Sequence, residues 1–184
     1  MAKTTVRVGF VGIGRMGANM ARRLKDAGYS IAAVYDIEPT RVDRLAKELE
    51  CHAVKNPAHV AERAETVFTV VTDDEAMRGI YSREGTDSLL AHAKGRLFIN
   101  CATLSPHIHV EIEALVERYG GQTLEACIAS SIPQARQGTL YLMCGGKKAA
   151  FERAKPLLES LSASLRYIGE AGQARWSKPW SMSS

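Results

Sequence analysis

A β-branched apolar run, Val6 to Val11, breaks directly into Gly12-Ile13-Gly14-Arg15-Met16-Gly17. A segment follows in which Met16, Met20, Leu24 and Ala27 recur at helical spacing up to Gly28. A strand that must become a helix across a glycine turn leaves few architectures open, and the same change of period recurs along the chain. Strands are expected at Ile31 to Tyr35, Cys51 to Val54, Thr66 to Thr72, Arg96 to Asn100, Thr123 to Ile128, Thr139 to Cys144 and, briefly, Arg166 to Ile168. Helices are expected from Pro39 to Leu49, Ala58 to Ala64, Asp73 or Asp74 to Tyr81, Asp87 to Ala93, Ser105 to Tyr119 and Lys147 to Leu161, several opened by a capping residue with proline behind it. Alternating strands and helices make βαβ units, so the expected class is α/β: a doubly wound, mostly parallel sheet covered on both faces.

Composition removes several alternatives. Of the 184 residues 46% are hydrophobic and 24% charged, which excludes a disordered chain. Lys and Arg number 24 against 20 Asp and Glu, and this small excess is dispersed, whereas nucleic-acid surfaces cluster their basic residues. No run approaches the ~18 apolar residues of a membrane span, and glycines interrupt the N-terminal apolar run where a signal peptide would be continuous. Cys51, Cys101, Cys127 and Cys144 show no metal-binding spacing and read as the reduced thiols of a cytoplasmic protein. His107 and His109 diverge on a helix start, so no metal is expected there and their reading is solvated or capping.

The glycine turn carries chemistry because of its context. In G-x-G-x-x-G between a strand and a helix, Gly12 permits the turn, Gly14 lets the backbone approach a pyrophosphate, and Gly17 lets the helix pack closely. The helix N-terminus adds free N–H groups and the positive end of its dipole, with Arg15 beside them. This is the dinucleotide-binding turn of the Rossmann type. Asp36 ends the second strand about twenty residues further on, where a carboxylate receives the adenosine ribose hydroxyls and repels a 2′-phosphate. NAD is therefore expected, with Arg41 keeping NADP as the alternative; the competing role for Asp36 is a cap for the helix near Thr40.

Gly9 to Ala21, with its Met-Gly and Asn-Met-Ala portions, resembles the N-terminal signature of the β-hydroxyacid dehydrogenases, which include 3-hydroxyisobutyrate dehydrogenase, tartronate semialdehyde reductase and, more distantly, 6-phosphogluconate dehydrogenase. Val70 to Met77 is similar to the family's loop along the nicotinamide half of the cofactor, which implies contacts from Val71, Thr72 and Asp73 as well as from Ile13 and Met16 of the first turn. Ile99 to Pro106 matches a third block in which only Thr103 of the usual Ser-Thr pair is kept, and this implies a hydroxyl near the nicotinamide. In the fourth block the family's Val-Ser-Gly-Gly becomes Ile128-Ala129-Ser130-Ser131, so Ser130 and Ser131 are the expected contacts to a substrate carboxylate. Gly169 to Lys178 follows the spacing that ends in the family's catalytic lysine, which implies that Lys178 assists proton transfer at the substrate oxygen; Met182 stands where the family has an asparagine.

The resemblance covers one of two family domains. Residues 1–168 are expected to form the NAD(P)-binding domain and 169–184 the start of an interdomain helix, with the all-helical second domain absent and dimers or tetramers expected only for a longer form. The tail, rich in Ser and Trp, reads as disordered or frameshifted: one nucleotide restored to a suitable back-translation yields an apolar-periodic helix with a lysine and, four residues on, an asparagine. The function implied is hydride transfer between a nicotinamide and a small 3-hydroxy acid. A dinucleotide-binding module without catalysis, and an imine-reductase-like relative, are the alternatives.

Overall fold

The computed structural model describes residues 6–174. Eight strands form one sheet: β1 (Arg7–Val11), β2 (Ser30–Tyr35), β3 (His52–Ala53), β4 (Thr66–Thr69), β5 (Leu97–Asn100), β6 (Gln122–Ile128), β7 (Leu140–Gly145) and β8 (Ser162–Gly169). Their spatial order is β3-β2-β1-β4-β5-β6-β7-β8. Neighbours pair in parallel except β6 and β7, which are antiparallel, so β7 and β8 run against the other strands. The helices are α1 (Arg15–Asp26), α2 (Pro39–Leu49), α3 (Pro57–Arg63), α4 (Asp74–Ile80), α5 (Pro106–Arg118), α6 (Ile132–Gln137) and α7 (Lys148–Leu161). The order reverses direction at β1, with β2 on one side and β4 on the other, which makes the crevice above its carboxyl end the expected ligand position.

Two apolar layers hold the sheet. On one face Met20 and Leu24 of α1 and Leu157 and Leu158 of α7 pack on Phe10, Phe68 and Leu124. Phe10 and Phe68 stack across β1 and β4 with centroids 5.0 Å apart. On the other face Val60 of α3 and Ile108, Ile112 and Val116 of α5 cover Val67 and Phe98. Full burial of each large apolar side chain contributes about 1.5–3 kcal/mol.

Local signals set most boundaries. Asn56 caps α3 by accepting the His59 N–H (3.0 Å), and Pro57 occupies its first turn. Asp73, not Asp74, caps α4 by accepting the Ala76 N–H (2.8 Å). Ser105 precedes α5 but its hydroxyl makes no cap; its backbone N–H instead donates to Asp74 (3.1 Å).

Five readings require correction. β4 stops at Thr69 rather than Thr72, because β1 and β5 offer it no ladder beyond Val11 and Asn100. The helix expected over Asp87 to Ala93 is a 3₁₀ turn at Leu89–His92, capped by Ser88. α6 was not expected; Ser131 and Gln134 close its N-terminus and Gly138, at φ +75°, ends it. β8 begins at Ser162 directly from α7, far earlier than Arg166, because it is an edge strand with only a weak apolar alternation. His109 is also neither solvated nor capping. It lies on the stripe of α5 that faces the sheet and is buried 3.5 Å from Glu125.

Candidate functional site

The glycine turn divides its labour. Gly12 sits at φ +94°, and a Cβ there would be driven into the Val70 carbonyl oxygen. Gly17 is buried in α1, and a Cβ would strike the Gly12 carbonyl oxygen. The fold itself therefore demands both. Gly14 is different: it caps α1 at φ −63° and ψ −167°, which any residue adopts, and a Cβ there has nothing within 4 Å. Its glycine leaves an open approach to the first turn of α1, which has no acidic residue.

Asp36 sits at the end of β2 with its side chain 8% exposed. Its Oδ2 accepts the Ile13 N–H (2.9 Å) and its Oδ1 the Glu38 N–H (3.1 Å), so the carboxylate ties the glycine turn to the next loop. Arg41 stands 3.4 Å from Asp36 and 3.4 Å from Glu38, which partly screens both charges. The cap of α2 is Glu38, so Asp36 is not the capping residue.

Above the carboxyl ends of β1, β2 and β4 lies a cleft of ≈ 700 Å³. Gly12, Gly14, Asp36, Val71 and Thr72 line it, as does Arg41. Ile13 is buried beneath the turn, Met16 packs against the core, and Arg15 is exposed on the first turn of α1. The Asp73 carboxylate is engaged in its cap. Thr103 is exposed just past β5, with Oγ1 4.0 Å from the Cys127 Sγ. The hydroxyls of Ser130 and Ser131 are used locally: Ser130 Oγ accepts the Tyr141 N–H (2.6 Å), and Ser131 Oγ donates to Gln134 (3.0 Å). Lys178 lies outside the described residues.

Further cleft residues carried no signal in the sequence, among them Ile37 next to Asp36, Ile80 at the end of α4, and Glu84 and Asp87 in the loop that follows. Ile37 is 85% exposed at the cleft edge, an unusual setting for a large aliphatic side chain. Behind the loops, Asn100 Oδ1 accepts both the Thr69 hydroxyl and the Tyr81 hydroxyl, each at 2.7 Å. Burial holds the Tyr81 phenol well above its ordinary pKa, so it stays a neutral donor.

An open glycine over a helix N-terminus, a carboxylate at the end of the second strand and a long cleft at the switch point fit a dinucleotide, and they define a Rossmann-type NAD(P)-binding domain. The model of the NAD binding domain of 6-phosphogluconate dehydrogenase matches residues 7–169, and the chain belongs to that family, within the β-hydroxyacid dehydrogenases. It is 33% identical over 172 residues to the mitochondrial 3-hydroxyisobutyrate dehydrogenase of Mus musculus, covering 93% of this chain and 50% of that one. It is 31% identical over 173 residues to an NAD-dependent L-serine dehydrogenase of Pseudomonas aeruginosa, covering 94% of this chain and 57% of that one. Among solved structures, a Mycobacterium tuberculosis 3-hydroxyisobutyrate dehydrogenase with L-serine superposes with a TM-score of 0.84 at 31% identity, covering 96% of this chain and 58% of that one. An imine reductase from Myxococcus stipitatus, at 22% identity and a TM-score of 0.86, shares the fold. The chain spans about half the length of the curated relatives it matches.

Proposed function

We propose that this chain is the cofactor-binding half of an NAD-dependent dehydrogenase of small 3-hydroxy acids, with NADP as the weaker cofactor. The observation that carries the reading is Gly14, a glycine that the fold does not require, placed where a pyrophosphate meets the N-terminus of α1. In the proposal Gly12, Gly14 and the first-turn N–H groups hold the pyrophosphate, Asp36 takes the adenosine ribose, and Val71 and Thr72 flank the middle of the cofactor. Arg41 beside Asp36 supports residual NADP binding, because a guanidinium pairs with a 2′-phosphate. The bound nicotinamide supplies the hydride acceptor. Thr103 and the turn at Ala129 to Ser131 border its far end, and Lys178 is the proposed proton-transfer group.

The domain boundary near residue 168 belongs to the proposal and is supported by β8 ending at Gly169. A longer form that dimerises or tetramerises, and a reducing compartment such as the cytoplasm, complete it; four free thiols support the latter. The test is fluorescence titration of the chain with NADH and NADPH, followed by turnover assays of 3-hydroxyisobutyrate and L-serine with both oxidised cofactors, on this chain and on the longest form its gene encodes. Tighter NADH than NADPH binding and oxidation of at least one acid are expected. Failure to bind either dinucleotide would sink the reading, and binding without turnover in the longer form would favour a binding module.

A further inference from the structure

The carboxyl-end rim of the sheet presents a row of groups whose order follows the strands. Asp36 stands above β2, Gly12 and Gly14 above β1, Val71 and Thr72 above β4, Thr103 above β5 and Ala129 to Ser131 above β6. Because β7 is antiparallel to β6, its first residues, not its last, reach this rim. Tyr141 is therefore next in the row. Cys127 pairs with Met143 and Ile128 with Leu142, and the Ala129 N–H donates to the Tyr141 carbonyl (3.0 Å). Strand alternation then puts the Tyr141 ring on the same sheet face as Cys127 and Met143, the face that α5 covers further down through His109 and Glu125. Thr103 reaches this face at Cys127, and Tyr141 lies diagonally across from the same cysteine, about 7–8 Å away by backbone geometry.

Tyr141 is 43% exposed on a strand whose other residues are buried. Of the hydroxyls at this corner, that of Ser131 donates to Gln134 within the turn and that of Ser130 accepts the Tyr141 N–H, whereas no hydrogen bond among the described residues uses the Tyr141 phenol. We propose that Tyr141 is a substrate-contacting residue, its phenol donating a hydrogen bond to the carboxylate of a short 3-hydroxy acid held between Thr103 and the β6–α6 turn. This rests on the proposed function above. It adds Tyr141 to the carboxylate contact that the family resemblance implies for Ser130 and Ser131.

The test uses NADH-loaded chain, in which an alcohol substrate binds without turning over. The chain carries 3-fluorotyrosine at its six tyrosines, and Tyr141→Phe identifies one fluorine resonance by deleting it. Titration with 3-hydroxyisobutyrate and with L-serine is expected to shift that resonance, and Tyr141→Phe is expected to weaken acid binding about tenfold while leaving the NADH Kd unchanged. Acid binding that is equal in the parent and in both Tyr141→Phe and Tyr141→Ala would overturn the role of Tyr141 and leave the proposed function standing. Loss of NADH affinity in Tyr141→Phe parallel to the loss of acid affinity would reduce the residue to a structural one. Absence of acid binding to the NADH-loaded parent chain would overturn the placement of the acid at this corner and with it the role of Tyr141, whereas the proposed function falls only if neither dinucleotide binds.

Discussion

Replacing Gly14 by valine separates cofactor binding from folding more cleanly than any other change in the glycine turn. At φ −63° and ψ −167° the backbone accepts a side chain, and nothing lies within 4 Å of the new Cβ. Where the native conformation is allowed, losing a glycine stabilises by about 0.4–1 kcal/mol through the unfolded chain. For a chain of this size that is a rise in Tm of at most about 2–4 °C. The same side chain fills the space through which a pyrophosphate approaches the first turn of α1. Two lost hydrogen bonds to a charged phosphate, at about 1.5–3 kcal/mol each, correspond to a Kd weaker by roughly two to four orders of magnitude. Differential scanning fluorimetry and isothermal titration with NADH read the two effects independently. Gly12→Ala is the opposite control: a left-handed φ of +94° and the Val70 carbonyl oxygen in the way mean that it should lower Tm whether or not cofactor is present. A folded Gly14→Val chain with the parent NADH affinity would refute the assignment of this turn to a pyrophosphate.

Asp36→Ala should erase most of the preference for NADH over NADPH, about tenfold, and Arg41→Ala should strengthen that preference by removing the partner of a 2′-phosphate; paired titrations in which neither ratio moves would count against both roles. Asn100→Leu leaves two buried hydroxyls, those of Thr69 and Tyr81, without their acceptor, and should cost about 2–4 kcal/mol in urea unfolding against about 1 kcal/mol for Tyr81→Phe. Burial pushes the Cys51 thiol up to about 11, so its reactive thiolate is scarce at neutral pH. Its alkylation by iodoacetamide at pH 8 should be about 100-fold slower than that of an unperturbed cysteine and rise about tenfold per pH unit, as mass spectrometry would show.

Where a residue type restricts its own backbone, the fold was legible in advance. Pro39 and Asn56-Pro57 fixed the starts of α2 and α3, and Gly28 closed α1 at φ +98°. What stayed hidden depends on partners remote in sequence. The alternation in β8 is too weak to mark an edge strand, and β4 ends where its neighbours end rather than where its apolar run ends. The signal for α6 was present as Ser131 and Gln134 at capping-box spacing, but it lies within a segment whose family pattern is a loop. Tyr141 could not be singled out, because its position on the rim exists only once β7 is known to run antiparallel to β6.

Asp36 shows why cofactor preference and fold are coupled at this site. The sequence pattern presents it as a free acceptor for ribose hydroxyls, yet its oxygens already receive the Ile13 and Glu38 N–H groups. A carboxylate has about four acceptor sites, so it can serve the loop and the ribose together. Removing it also orphans the N–H of Ile13, a residue 1% exposed at the base of the glycine turn. In the proposed binding mode, Asp36→Ala should therefore disturb the pyrophosphate subsite as well as the ribose subsite, and Asp36→Asn, which keeps an acceptor for Ile13 while removing the charge, should isolate the electrostatic part. Arg41 supplies the opposing half of the balance from the first turns of α2, outside the glycine turn. On this proposal, Arg41→Ala should change discrimination between the two dinucleotides with little effect on the glycine turn, whereas Asp36→Ala, which also removes the acceptor of the Ile13 N–H, should act on both.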